Sequence, residues 1–257
     1  MNPETYLYNY KNEEIITRAS AIIEAGKTGD RSAIKSLVSI LENKGEIDWL
    51  RGCAATALGR LAGEEAIPAL IDALKDDNNV VSRAVISAFG DIKSQKATPF
   101  LLKILENKCK EELHAITVTV LGEIGGYEVI PTLLQALESS NERVRVSAAR
   151  SLSEFQTEEA TSRFLILIKD TNECLRAIAA SSLGLIGDKR GVKPLMEALH
   201  DDTETVRAIA ASSLGCIGER GAIPSLEESL GDMSEIVRKQ AAAALLKIRS
   251  REEPGKD

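Results

Sequence analysis

The 257-residue chain carries 39 acidic and 32 basic side chains, giving a net charge of −7, and only 4% of its residues are aromatic. Such a charge disfavours nucleic acid as the main partner, because a phosphate backbone selects surfaces rich in Lys and Arg. It equally disfavours an anionic membrane.

Residues 1–11 include the stretch YLYNY, which holds three of the four tyrosines. The stretch lacks a basic region followed by an apolar one, so it does not read as a secretory signal. We expect an arm that packs over the open end of the first helical unit. The alternative is a partner-binding arm, since Tyr offers a large contact area at low entropy cost. No apolar run approaches the roughly 18 residues that a membrane helix needs, and a cytoplasmic protein is expected. Residues 12–27 read as a capping helix with Ile16, Ala19 and Ile23 on one stripe.

From about residue 30 the chain repeats itself. RAIAASSLG occupies Arg176–Gly184 and again Arg207–Gly215. Aligned on the Leu of that motif, Leu58, Phe89, Leu121, Leu152, Leu183, Leu214 and Leu245 recur every 31 or 32 residues. A fixed period in this range marks a stacked array. In one unit, Val206, Ala210, Leu214 and Ile217 form a single helical stripe. Gly187 and Gly218 stand where a left-handed helix cap is wanted. After a short polar loop, Pro68, Pro99, Pro131, Pro194 and Pro224 open the other apolar helix of the hairpin, and an Asp or Asn turn leads onward. The expected fold is therefore all-α: a right-handed α-solenoid of about seven helical hairpins, forming one domain over residues 12–250. The hairpins lie near 30–62, 63–93, 94–125, 126–156, 157–187, 188–218 and 219–250. Residues 251–257 read as a disordered tail.

The unit VRAIAASSLGCIGERGAIP and its six relatives resemble the HEAT-repeat family, and within it the HEAT-like repeats of phycobilisome lyases. That resemblance implies a curved array whose second helices line the concave side. Its relatives include chromophore lyase subunits, metal-dependent hydroxylases and adaptors, so it specifies fold better than function. In the hydroxylase branch a di-iron centre is bound through His-Glu dipeptides. This chain has none and only two histidines, His114 and His200, so no metal or cofactor is expected. The four cysteines form no C-x-x-C pair and read as free thiols.

Arg51, Arg145, Arg176, Arg207 and Arg238 open the second helices, with Ser82 and His114 in the remaining copies. Asp170, Asp201 and Asp232 lie six residues before Arg176, Arg207 and Arg238. The recurrence of acid with base predicts a structural Asp–Arg hydrogen-bond ladder; a row of anion-binding arginines is the competing reading. Bidentate carboxylate geometry would explain the use of Arg over Lys.

What remains for function is the outward row of the second helices. A charged middle, Arg83, Asp91, Glu123, Arg150 and Glu154, precedes a smoother stretch with Leu185 and Cys216. The leading expectation is a non-catalytic scaffold that binds another protein on this concave row, with a monomeric chain as the default. The alternative, resting on the resemblance alone, is an auxiliary subunit of a phycobilin lyase or isomerase, or a phycobilisome-turnover factor.

Overall fold

A computed structural model describes residues 13–76 and 78–251. The expected Tyr-rich arm lies outside the described residues, as does the tail beyond Arg251. Among the described residues there are fifteen α-helices and no strand. The first, α1 (Glu13–Thr28), stands alone. The rest form seven pairs: α2 (Ile34–Glu42) with α3 (Asp48–Leu61), α4 (Ile67–Ala73) with α5 (Asn79–Ile92), α6 (Thr98–Glu106) with α7 (Glu111–Ile124), and α8 (Ile130–Ala136) with α9 (Glu142–Leu152), then α10 (Glu158–Leu167) with α11 (Glu173–Ile186), α12 (Val192–Ala198) with α13 (Glu204–Ile217), and α14 (Ile223–Glu228) with α15 (Glu235–Ser250).

The described residues fall into two compact units, one up to Thr132 and one from Leu133 onward. Repeats that touch only their neighbours share no common core, so no single centre draws all the helices together. Within the first unit, α1, α3, α5 and α7 pack in succession, and α2, α4 and α6 each lie against the second helix of their own pair. The second unit repeats the plan: α9, α11, α13 and α15 stack, with α10, α12 and α14 alongside.

The motif residues explain this packing. Leu58, Leu183 and Leu214 are fully buried, as are Ala179, Ala180, Ala210 and Ala211. The glycine that ends the motif lets adjacent second helices approach. A methyl group on Gly59 would lie 2.8 Å from Ala88 Cβ, and one on Gly215 would lie 2.7 Å from Ala244 Cα. Gly187 and Gly218 adopt φ of 74° and 83° and end α11 and α13 in the left-handed conformation.

Two local expectations are corrected. The buried stripe of α1 is Ile15, Ala19, Ile22 and Gly26, while Ile16 and Ile23 are exposed. Close approach of Gly26 to Ala57 fixes the rotation of the helix. Arg251, the first residue of the expected tail, is anchored: its Nη1 donates to Ile217 O at 2.9 Å and its Nη2 to Cys216 O at 3.0 Å. A helix end leaves carbonyls without intrahelical partners, and a guanidinium satisfies two of them here.

Candidate functional site

Three of the arginines that open the second helices, Arg51, Arg176 and Arg207, are committed to carboxylates. Arg176 forms a bidentate pair with Asp201, Nε to Oδ2 at 2.7 Å and Nη2 to Oδ1 at 2.9 Å. Its Nη1 donates to Asp170 O at 2.9 Å and Thr171 O at 3.1 Å. Arg207 repeats the pattern: Nε and Nη2 reach Asp232 at 2.8 and 3.0 Å, and Nη1 reaches Asp201 O at 2.9 Å. Arg238 donates to Asp232 O at 2.6 Å. Asp201 and Asp232 therefore each offer the carbonyl to the Arg six residues later and the carboxylate to the Arg twenty-five residues earlier, whereas Asp170 offers its carbonyl to Arg176 and its carboxylate to Asn172 N. The sequence spacing pointed to the first partner and missed the second. The Asp carboxylates also cap the turns, Asp201 Oδ1 accepting from Thr203 N and Asp232 Oδ1 from Ser234 N, both at 2.8 Å.

These pairs shift the ionisation of their members. Burial pushes the Asp201 carboxyl up, but Arg176 and the Thr203 N–H outweigh it, so the carboxyl titrates below the ordinary aspartate range. At Asp232 the bond from Arg207 leads, and the shift is again downward. Both guanidiniums move up in return.

In the first unit Arg51 makes the same kind of rung. It is only 3% exposed, its Nη1 lies 2.7 Å from Asp76 Oδ2, and its Nε donates to Leu41 O at 2.9 Å. Ser82 replaces the next Arg and reaches only Asp76 O, at 3.5 Å. His114 places Nε2 3.1 Å from Ile104 O and 3.2 Å from Asn107 O.

The outward row is best taken unit by unit. In the first unit Arg83, Asp91 and Glu123 are all exposed. Arg83 Nη2 donates to Glu112 O at 3.3 Å, and Asp91 lies 3.8 Å from Arg60 Nε. Glu123 lies over Gly90, where a methyl group would meet its Oε2 at 2.7 Å. In the second unit Arg150, Glu154, Leu185 and Cys216 are exposed, Leu185 to 71%. Because α9 ends at Leu152, Glu154 sits in the following turn and not on the helix.

Each unit also has a groove beside this row. Between α1, α3 and α5 lies one of about 370 Å³, lined by Ile23, Trp49, Gly52, Cys53, Thr56 and Arg60. Burial pushes the Cys53 thiol up. Between α13 and α15 lies another of about 380 Å³, lined by Ala208, Ile209, Ser212, Ile236 and Gln240. Trp49 and Cys53 were not singled out from sequence. The signal available was the lone Trp, at the first turn of α3. Among the described residues no group of three or more His, Cys, Asp or Glu is placed to hold a metal ion, and no helix is long and apolar enough to cross a membrane.

Comparison with known proteins gives this geometry a context. A family profile of HEAT repeats matches residues 7–90, 44–116, 98–173 and 162–247. The chain is 27% identical over 184 residues to phycocyanobilin lyase subunit alpha of a Nostoc strain, covering 65% of this chain and 67% of that one. It is 30% identical over 156 residues to the bilin biosynthesis protein PecE of the same strain, covering 58% of this chain and 61% of that one. Among solved structures, the complex of CpcE and CpcF of phycocyanin lyase from Nostoc matches with a TM-score of 0.51 at 22% identity, over 96% of this chain and 95% of that one. That likeness supports the fold.

Proposed function

We propose, because the chain belongs to the HEAT-repeat family and resembles bilin lyase subunits over most of its length, that it is an auxiliary subunit of a bilin-handling assembly. The observation that carries this reading is the similarity to phycocyanobilin lyase subunit alpha across 65% of the chain. In this reading the chain supplies a preformed surface and no catalytic group of its own. Its partner is a second HEAT-repeat subunit, and the assembly delivers a bilin to an acceptor protein. A rigid surface loses little entropy on binding, which favours tight association from few contacts.

The exposed row supports the broader form of the same reading, a scaffold that holds a partner protein. Arg83, Asp91 and Glu123 in one unit, and Arg150, Glu154, Leu185 and Cys216 in the other, are the residues we assign to that contact. Charge of both signs sets register and partner choice more than raw affinity.

The test is reconstitution. Phycocyanobilin is added to an acceptor apoprotein with this chain alone, with a second lyase-type subunit alone, and with both. The expected result is colour that stays with the acceptor after denaturation only when both subunits are present. Equal transfer when this chain is omitted, or full transfer by this chain alone, contradicts the assignment.

A further inference from the structure

The outer helices of the first unit carry a feature that the repeat pattern does not require. Between α4 and α6 lies a groove of about 290 Å³ with Ile71, Phe100 and Ile104 on its walls and Lys75, Lys103 and Lys110 around it. Lys103 Nζ stands 5.9 Å from the centroid of the Phe100 ring, and Lys110 Nζ donates to Asp76 O at 3.3 Å. Asp72 pairs with Lys75 at 2.5 Å, whereas the Asp76 carboxylate is committed to the buried Arg51. The Asp72 carboxyl is held below its ordinary range by Lys75 and, more weakly, by Lys44, which adds a further cation nearby.

Internal repetition provides the comparison. Lys103 occupies the position held by Asp72, Glu197 and Glu228 in other hairpins, and no other copy has a base there. Phe100 replaces Ala69, Thr132, Pro194 and Ser225, and no other copy has an aromatic residue there. Lys110 precedes α7 where Asn78, Asn141, Asn172, Thr203 and Ser234 precede the corresponding helices; like Thr203, and like Ile47 before α3, it makes no side-chain cap, and it alone of these brings a positive charge. The turn residue Asn107, like Ser139 in the next copy, lacks the charge of Asp76, Asp170, Asp201 and Asp232. Four neighbouring positions thus depart from their counterparts, and every departure adds positive charge, removes negative charge or adds a ring. Local rules broken together, without a packing gain, mark a functional surface.

We infer that the α4–α6 groove is a docking site for an acidic segment of a partner protein, anchored by one large apolar side chain. On a chain of net charge −7, an acidic peptide is repelled by most of the surface and attracted here, so the groove both steers and selects. The apolar side chain enters between Ile71 and Ile104, against the Phe100 ring, and carboxylates on either side meet Lys103 and Lys110. Lysine stems cover the apolar anchor while their ammonium groups stay wet. This surface lies on the first helices of the hairpins, and the inference stands whether or not the chain serves a bilin lyase.

The experiment is fluorescence polarisation with the full chain and a fluorescein-labelled peptide of sequence Asp-Glu-Asp-Phe-Leu-Asp-Glu-Asp. Saturable binding is expected, and replacing Phe-Leu by Ser-Ser should weaken it by about tenfold or more. Lys103→Glu combined with Lys110→Glu should abolish it, and Lys110→Asn, which installs the residue used before three other helices, should weaken it with helix content unchanged. Lys239→Glu combined with Lys247→Glu, on α15, should leave the affinity within about twofold. Absence of binding, binding that survives the Lys103 and Lys110 reversals, or an equal loss from the α15 reversals overturns the inference. Competition by inorganic phosphate as effective as by unlabelled peptide also overturns it, because the site would then be a simple anion site.

Discussion

The two units share a scaffold and differ in what is laid on it. The second unit carries two consecutive bidentate rungs, Arg176–Asp201 and Arg207–Asp232. The first carries Arg51–Asp76 and then stops, with Ser82 and Asn107 where the next rung would be. Arg and Asp disappear together across a spacing of twenty-five residues, so the ladder is a pairwise device between repeats and not a requirement of the hairpin itself. Helix packing is the opposite case. The Gly59–Ala88 and Gly215–Ala244 approaches are nearly identical in the two units. Beside the missing Ser82–Asn107 rung lie Lys75, Lys103 and Lys110.

Breaking a rung should produce the largest effect. Arg207 is only 9% exposed, so Asp232→Ala leaves a guanidinium without its carboxylate and should cost about 3 kcal/mol in denaturant unfolding. The same pairs set an acid limit. Their carboxyls titrate below the unfolded aspartate value, so their contribution is complete above about pH 4 and is lost as pH falls through the lower folded values. Asp232→Asn should flatten the acid side of a stability–pH curve. An unchanged curve would show that the rung is not linked to folding.

Gly59→Leu and Gly215→Leu should each cost about 2 kcal/mol, since the facing helix backbone must move. Similar losses would support a common packing rule, whereas a loss in one unit alone would break the comparison. Thr98→Val should act in the other direction. Thr98 Oγ1 is buried without a hydrogen-bond partner among the described residues, at a position where Ile67, Ile130, Val192 and Ile223 are apolar and Thr161 instead donates to Thr157 O. Removing the hydroxyl should raise stability by about 1 kcal/mol, and a loss would mean that the hydroxyl is satisfied in solution. The smallest effect is expected from Ser82→Arg with Asn107→Asp, which rebuilds the missing rung. A gain of under about 1 kcal/mol is expected, and a double-mutant cycle should show the two changes to be coupled.

Most of the fold was legible because seven copies of one pattern correct one another. The Leu spacing placed every hairpin, and the glycines marked helix ends. Legibility failed where a copy has no neighbour in the sequence to compare. The rotation of α1 depends on where Gly26 meets Ala57, and the anchoring of Arg251 depends on carbonyls thirty-four and thirty-five residues away. The outward row was readable as exposure, although α9 stops early and leaves Glu154 in a turn. The second Asp partner was hidden because a spacing of six is conspicuous and one of twenty-five is not. The lysine groove is not legible from the motif of the second helices, because Phe100 and Lys103 depart from pattern on a first helix.

The claim that this chain works by holding a second subunit on its outward row is tested most directly by isothermal titration. That subunit is titrated into the chain and into variants carrying Glu123→Lys, Glu154→Lys or both. The account predicts nanomolar to micromolar binding that weakens by about tenfold or more in the double variant, with helix content unchanged. Affinity that is indifferent to both reversals would contradict it.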